Sequence, residues 1–167
     1  MQKAQGKLSS NEHASCSGIP ALFGLSKYET RNEYLDSRIK ARQGLEEKKD
    51  TKSIQAEMGD VLEPVILQKA CEILGLEDLQ MDFADAVRHP DYPLEGSLDG
   101  VARANNLIIK PDNEVILTED DEPISLNGLG VLEAKATALM PEPDGKAPAW
   151  RGLLQTKALC AILGYSW

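Results

Sequence analysis

Glu95-Gly96-Ser97-Leu98-Asp99-Gly100-Val101-Ala102-Arg103-Ala104 decides how this chain of 167 residues folds. The stretch reads as a strand carrying one acid, Asp99, among small and apolar neighbours. Ahead of it, the Pro-rich turn His89-Pro90-Asp91-Tyr92-Pro93 joins it to a strand over Met81 to Arg88, so a hairpin is expected. Behind it, Leu107 to Lys110 and Glu114 to Thr118 flank Pro111-Asp112-Asn113 as a second hairpin, and the acidic loop Glu119 to Pro123 follows. Gly130 to Ala136 then reads as a buried strand.

Helical patterns bracket this strand series. Ser17 to Gly24 fits a short helix capped by Ser17, with Pro20 in its first turn and Gly24 as its stop. Ser26 and Glu29 have capping-box spacing for a helix whose apolar stripe is Tyr34, Leu35 and Ile39, fading near Gly44. Glu46 to Lys52 is a charged connection. From Glu57 to Leu74, Met58, Val61, Leu62, Val65, Ile66, Ala70, Ile73 and Leu74 recur at helical spacing up to Gly75, and Pro64 predicts a kink. After the Pro- and Gly-rich loop Met140 to Pro148, Ala149 to Leu163 forms an amphipathic helix on Trp150, Leu153, Leu154, Ala158, Ala161 and Ile162, ended by Gly164. Helices, then antiparallel strands, then a helix indicate the α+β class.

Length and a hydrophobic content of 42% support one core, so a single domain over 15–167 is expected behind a flexible polar arm, 1–14. No stretch approaches the roughly 20 apolar residues of a membrane span, and the N-terminal segment lacks a signal's apolar core, so a cytoplasmic protein is expected. Cys16, Cys71 and Cys160 are odd in number and far apart, which argues for buried thiols over a disulfide framework or zinc site. The formal net charge of −9 opposes phosphate binding. Acids concentrate between Glu57 and Glu133, however, while Lys27 to Lys52 is mildly basic, and a carboxylate-bound cation reverses the local sign.

Two segments carry the chemistry: Ser97-Leu98-Asp99-Gly100 and Leu132-Glu133-Ala134-Lys135. Taken alone, Asp99-Gly100 is an ordinary turn pair and Glu133-Ala134-Lys135 an ordinary strand edge. On a strand, however, Glu133 and Lys135 share one face, and Ala134 leaves its carbonyl as a hard oxygen ligand. One Mg²⁺ can then join Asp99 to Glu133, keeping waters that become nucleophiles, while Lys135 orients or deprotonates the attacking water. His89, before Pro90 and without a second His at ligand spacing, reads as a turn residue.

The order of Ser17-Gly18-Ile19-Pro20-Ala21-Leu22-Phe23-Gly24-Leu25-Ser26, Gly59-Asp60-Val61-Leu62-Glu63-Pro64, His89-Pro90, Gly96-Ser97-Leu98-Asp99-Gly100, Leu132-Glu133-Ala134-Lys135 and Leu154-Gln155 resembles the successive motifs of the YqaJ viral recombinase family. That family contains phage lambda-type exonucleases and belongs to the PD-(D/E)XK nuclease superfamily. The resemblance implies a restriction-endonuclease-like core, a mixed central sheet flanked by helices. It implies Mg²⁺-dependent digestion of linear double-stranded DNA from 5′ ends in phage recombination, with Mn²⁺ as a substitute ion, a toroidal homotrimer and a single-strand annealing recombinase as partner. Asp99, Glu133, the Ala134 carbonyl and Glu63 would hold the metal. Lys135 would be the catalytic lysine, Gln155 would position the water or scissile phosphate, and Ser17 and Ser97 would contact DNA phosphate.

Two departures accompany the resemblance. A long insertion, 101–130, separates the two central motifs, and only twelve residues follow Gln155. A final core strand is therefore expected to be missing, with Tyr165-Ser166-Trp167 as its beginning. A restriction- or resolvase-type endonuclease, or a non-catalytic recombination module keeping the fold, are the competing expectations.

Overall fold

The computed structural model describes residues 11–45, 53–112, 116, 118, 120–135 and 152–167. The chain is a mixed α+β protein with small sheets. Among the described residues, no helix is long and apolar enough to cross a membrane.

The central ladder joins β5 (Gly100–Ile109) and β6 (Ile124–Leu132), antiparallel, with β2 (Glu77–Gln80) on the far side of β5. Gly100 pairs with Leu132, Val101 with Val131 and Ala102 with Gly130. Small residues at Gly100, Ala102, Ala104 and Gly130 let elements approach closely. A Cβ on Gly130 would stand 2.1 Å from the Trp167 ring, and one on Gly100 would stand 3.2 Å from Leu67 Cδ1. Asn105 and Asn106 face the single Asn127 across a bulge, where Asn106 takes φ +54° and its N–H donates to Asn127 Oδ1 at 3.3 Å.

Alternation along β5 sorts side chains to two layers. Ala102 and Ala104 pack with Cys71, Leu76, Ile109 and Leu126 beneath α3 (Ile54–Leu74). Val101 and Val131 pack with Cys16, Leu98 and Leu159 on the opposite face, under α4 (Leu153–Leu163) and the 3-10 turn Cys16–Gly18. The turn leads into α1 (Ile19–Leu22). A second small sheet orders β1 (Ala14–Ser15), β4 (Leu94–Gly96) and β3 (Val87–Arg88), with β1 parallel and β3 antiparallel to β4.

Several expectations need correction. The single mixed central sheet is instead two three-stranded sheets among the described residues. The expected strand 95–104 is broken: β4 ends at Gly96, β5 starts at Gly100, and Asp99 lies between them. Met81 to Arg88 yields strand only at Val87–Arg88, while β2 forms earlier, yet the hairpin across 89–93 does form. Leu107, Ile108 and Ile109 pair with Leu126, Ser125 and Ile124 of β6; of the expected partner strand Glu114 to Thr118, only Ile116 and Thr118 are among the described residues. β6 starts at Ile124 and stops at Leu132, so Glu133 and Lys135 follow the strand instead of lying within it.

The second helix, α2 (Arg31–Arg42), begins later than its spacing predicted. Thr30 is its N-cap, and Thr30 and Glu33 form the capping box assigned to Ser26 and Glu29. Ser26 Oγ instead accepts from the amides of Tyr28 and Glu29 in the preceding turn. Leu35 and Ile39 are exposed, and Tyr34 and Ala41 are the buried residues of this helix. Ser17 sits inside the 3-10 turn and caps nothing; Gly18 precedes α1.

In α3 the apolar residues wrap around the helix. Leu67 and Cys71 are buried, while Met58, Val61, Leu62, Val65 and Ile73 are exposed. Ser53 caps it, it runs through Pro64 unbroken, and Gly75 ends it in the left-handed region. Leu159, absent from the expected stripe of α4, is its fully buried residue, and Leu153 and Ala161 are exposed. Gly164 stops α4 as expected. The connection 46–52, the loop 140–148 and residues 149–151 lie outside the described residues, as does 1–10 of the expected arm. At the other end of that arm, Ala14 N–H donates to Pro93 O at 2.9 Å.

The chain beyond α4 returns to the edge of β6. Val131 N–H donates to Trp167 O at 2.8 Å, and the Ser166 hydroxyl donates to Asn127 O at 3.3 Å. Tyr165 to Trp167 thus run alongside β6, where the final strand was expected to begin.

Candidate functional site

Continuing the β5–β6 register one residue past Gly100 and Leu132 sets Asp99 opposite Glu133. The Asp99 carboxylate is held there: its Oδ2 accepts from the Ala134 N–H at 2.9 Å. Glu133 has only 5% of its side chain exposed, and its Oε1 pairs with Lys135 Nζ, whose side chain is 42% exposed. Glu133 Oε2 is buried and, among the described residues, has no hydrogen-bond partner. Burial pushes this carboxyl up to about 7; the Lys135 ammonium pulls it down and Asp99 pushes it further up.

α4 starts against this pair. Gly152, at φ +106°, would place a Cβ 3.6 Å from Glu133 Cγ and 3.8 Å from Lys135 Cγ. Among the described residues no side chain caps the helix; Thr156 turns back so that its hydroxyl donates to Gly152 O at 2.9 Å. Gln155 is half-buried in the same first turn.

The turn bearing Ser17 adjoins the site through Cys16. Burial first, then the charges of Glu133 and Glu95, push the Cys16 thiol up to about 11 against a backbone hydrogen bond that lowers it. Such a thiol stays protonated and inert at neutral pH. Cys16, Cys71 and Cys160 are free thiols; Cys16 and Cys71 are buried as expected, whereas Cys160 is only half-buried. Ser17 is exposed, and its hydroxyl lies 3.2 Å from Ser15 Oγ. Ser97 is half-buried in the link between β4 and Asp99.

Glu63 lies on α3. It is half-buried and one helical turn before Leu67, whose side chain lies against Gly100. Asp99, Glu133 and Lys135 are therefore brought together, while the described residues contain no group of three or more His, Cys, Asp or Glu side chains poised for a metal ion. His89 is a turn residue as read: its Nδ1 accepts from the amides of Asp91 and Tyr92 at 3.1 and 3.2 Å.

Glu95 was not singled out by its sequence. Its side chain is fully buried, with His13 Nδ1 at 3.3 Å and Arg88 Nε at 3.1 Å. It ties β3 and the segment before β1 to β4. Hydropathy gives no sign of this, because a lone Glu at a strand start reads as solvent-facing. No family model matches the chain, and no curated protein or solved structure shows significant similarity to it.

Proposed function

We propose that this chain is a Mg²⁺-dependent deoxyribonuclease of the PD-(D/E)XK type that digests linear duplex DNA from its 5′ ends. One observation carries the proposal: a buried Glu133 carboxylate with an oxygen that has no partner among the described residues, opposite Asp99 and beside Lys135. An unsatisfied buried carboxylate oxygen is costly, and a hard cation relieves the penalty that the single ammonium leaves. The donor set is oxygen-rich, which suits Mg²⁺ or Mn²⁺.

Asp99, Glu133 and the Ala134 carbonyl would hold the ion, with Glu63 reaching it from α3 directly or through water. When bound, the ion supplies charge neutralisation at the phosphate and acidification of water. Ala134 N–H fixes the rotamer of Asp99. Lys135, paired with Glu133 and partly open to solvent, orients the attacking water by donating to its oxygen. The uncapped amides of α4's first turn, together with Gln155 and Ser97, favour the phosphate. Ser17 receives the terminal 5′ phosphate. In this reading the chain assembles as a homo-oligomer, a trimer, and hands its product strand to a single-strand annealing recombinase.

The test compares 5′-phosphorylated linear duplex with closed circular duplex, in Mg²⁺ and in chelator. Linear DNA is digested and circles are spared. Lys135→Ala lowers the rate by about a hundredfold or more while retaining cooperative unfolding. Cutting of circles identifies an endonuclease instead, and Mg²⁺ binding without cleavage of either substrate identifies a non-catalytic module.

A further inference from the structure

A chain of hydroxyls runs inward from Ser17. Ser17 Oγ lies 3.2 Å from Ser15 Oγ, which lies 3.4 Å from the Tyr34 phenol oxygen. Tyr34 is 2% exposed, and Ser15 is 3% exposed. The two outer links are longer than an ideal O–H···O bond, so they bias direction more than they lock it.

One short bond favours one of the two directions open to these hydroxyls. The Ser15 N–H donates to the Tyr34 oxygen at 2.7 Å, which fills one acceptor position on that oxygen. The phenol proton is left to be donated, and Ser15 Oγ is within reach. Ser15, accepting there, donates its own proton to Ser17 Oγ. Ser17, accepting in turn, has its proton left to point outward.

Tyr34 is fixed in this role. Gly18 leaves room for its ring, since a Cβ there would fall 2.2 Å from Tyr34 Cε2. The Arg38 guanidinium lies 4.9 Å over the ring centroid and is itself held by Asn11 Oδ1 at 3.2 Å.

We propose that Tyr34 and Ser15 are positioning residues that polarise the Ser17 hydroxyl into an outward donor to a phosphate oxygen, and so set the preference for 5′-phosphorylated ends. This rests on the reading of Ser17 as the 5′-phosphate contact.

The test measures binding of the full chain to duplexes ending in 5′ phosphate or 5′ hydroxyl by fluorescence anisotropy, with Ca²⁺ replacing Mg²⁺ so that the ends stay intact. Wild type prefers the phosphate. Ser17→Ala, Ser15→Ala and Tyr34→Phe each lower the phosphate-to-hydroxyl ratio about tenfold, the size of one charge-assisted hydrogen bond. In Ser15→Ala and Tyr34→Phe affinity for the hydroxyl end stays unchanged, which a general loss of structure would not allow. Ser15→Ala keeps its backbone bond to Tyr34 and decides the matter if Tyr34→Phe does not fold. The inference is overturned if wild type shows no preference, if Ser17→Ala retains it, or if Ser15→Ala keeps the wild-type ratio. Phosphate preference without DNA cleavage removes the nuclease and leaves the positioning intact; cleavage without preference does the reverse.

Discussion

At Glu133, burial and charge oppose each other. Its carboxyl rises from an ordinary 4.5 to about 7 on folding, chiefly through burial. Between those values the folded chain holds a proton that the unfolded chain has released, so this stability is fully present below about 4.5 and is lost as pH rises through about 7. The loss is about 3 kcal/mol for this side chain. Urea denaturation in chelator at pH 5 and pH 8 measures it: wild type weakens relative to Glu133→Gln across that interval, and a constant difference between them contradicts the assignment. The chemistry of Asp99, Glu133 and Lys135 was legible as residue types at suitable spacing. Their meeting was not, because it depends on the register of β5 against β6 across a connection whose length the pattern does not encode.

Elements were legible where a stop signal and a long pattern agreed, as in α3 ending at Gly75 and α4 at Gly164. They were misplaced where two capping boxes competed. Ser26/Glu29 and Thr30/Glu33 have the same spacing, and the second wins because the left-handed Gly24 and the turn at Ser26 delay the helix. Glu33 shows the consequence, since hydrogen bonds from Thr30 hold its carboxyl below the usual range. Thr30→Ala is therefore expected to lower stability by about 1 kcal/mol, measured by thermal unfolding, and Ser26→Ala by less; equal losses contradict the assignment of the cap. Gly130→Ala meets the Trp167 ring and is expected to cost about 1–3 kcal/mol in urea denaturation. No change would mean that Trp167 does not lie over β6.

Across the whole molecule, stability is uneven. β5 and β6 share eight paired positions between the α3 and α4 layers, whereas β1 and β3 are two residues each. Amides of Val101, Ala102 and Val131 are expected to exchange slowest in deuterium, and those of Val87 and Arg88 much faster; comparable rates would contradict the layered core. The α+β class was legible from the order of patterns, but the division into two sheets was not, because Gly96 to Gly100 reads as continuous strand until Asp99 has to turn toward Ala134. The acidity that argued against DNA, a formal charge of −9, includes Glu133 and Asp99 themselves, so the account turns on whether they share a cation. Titration calorimetry of Mg²⁺ or Mn²⁺ at pH 8, where Glu133 is ionised, tests this most directly. Wild type is predicted to bind one ion at a site lost in Glu133→Gln, and either no binding by wild type or undiminished binding by Glu133→Gln would contradict it.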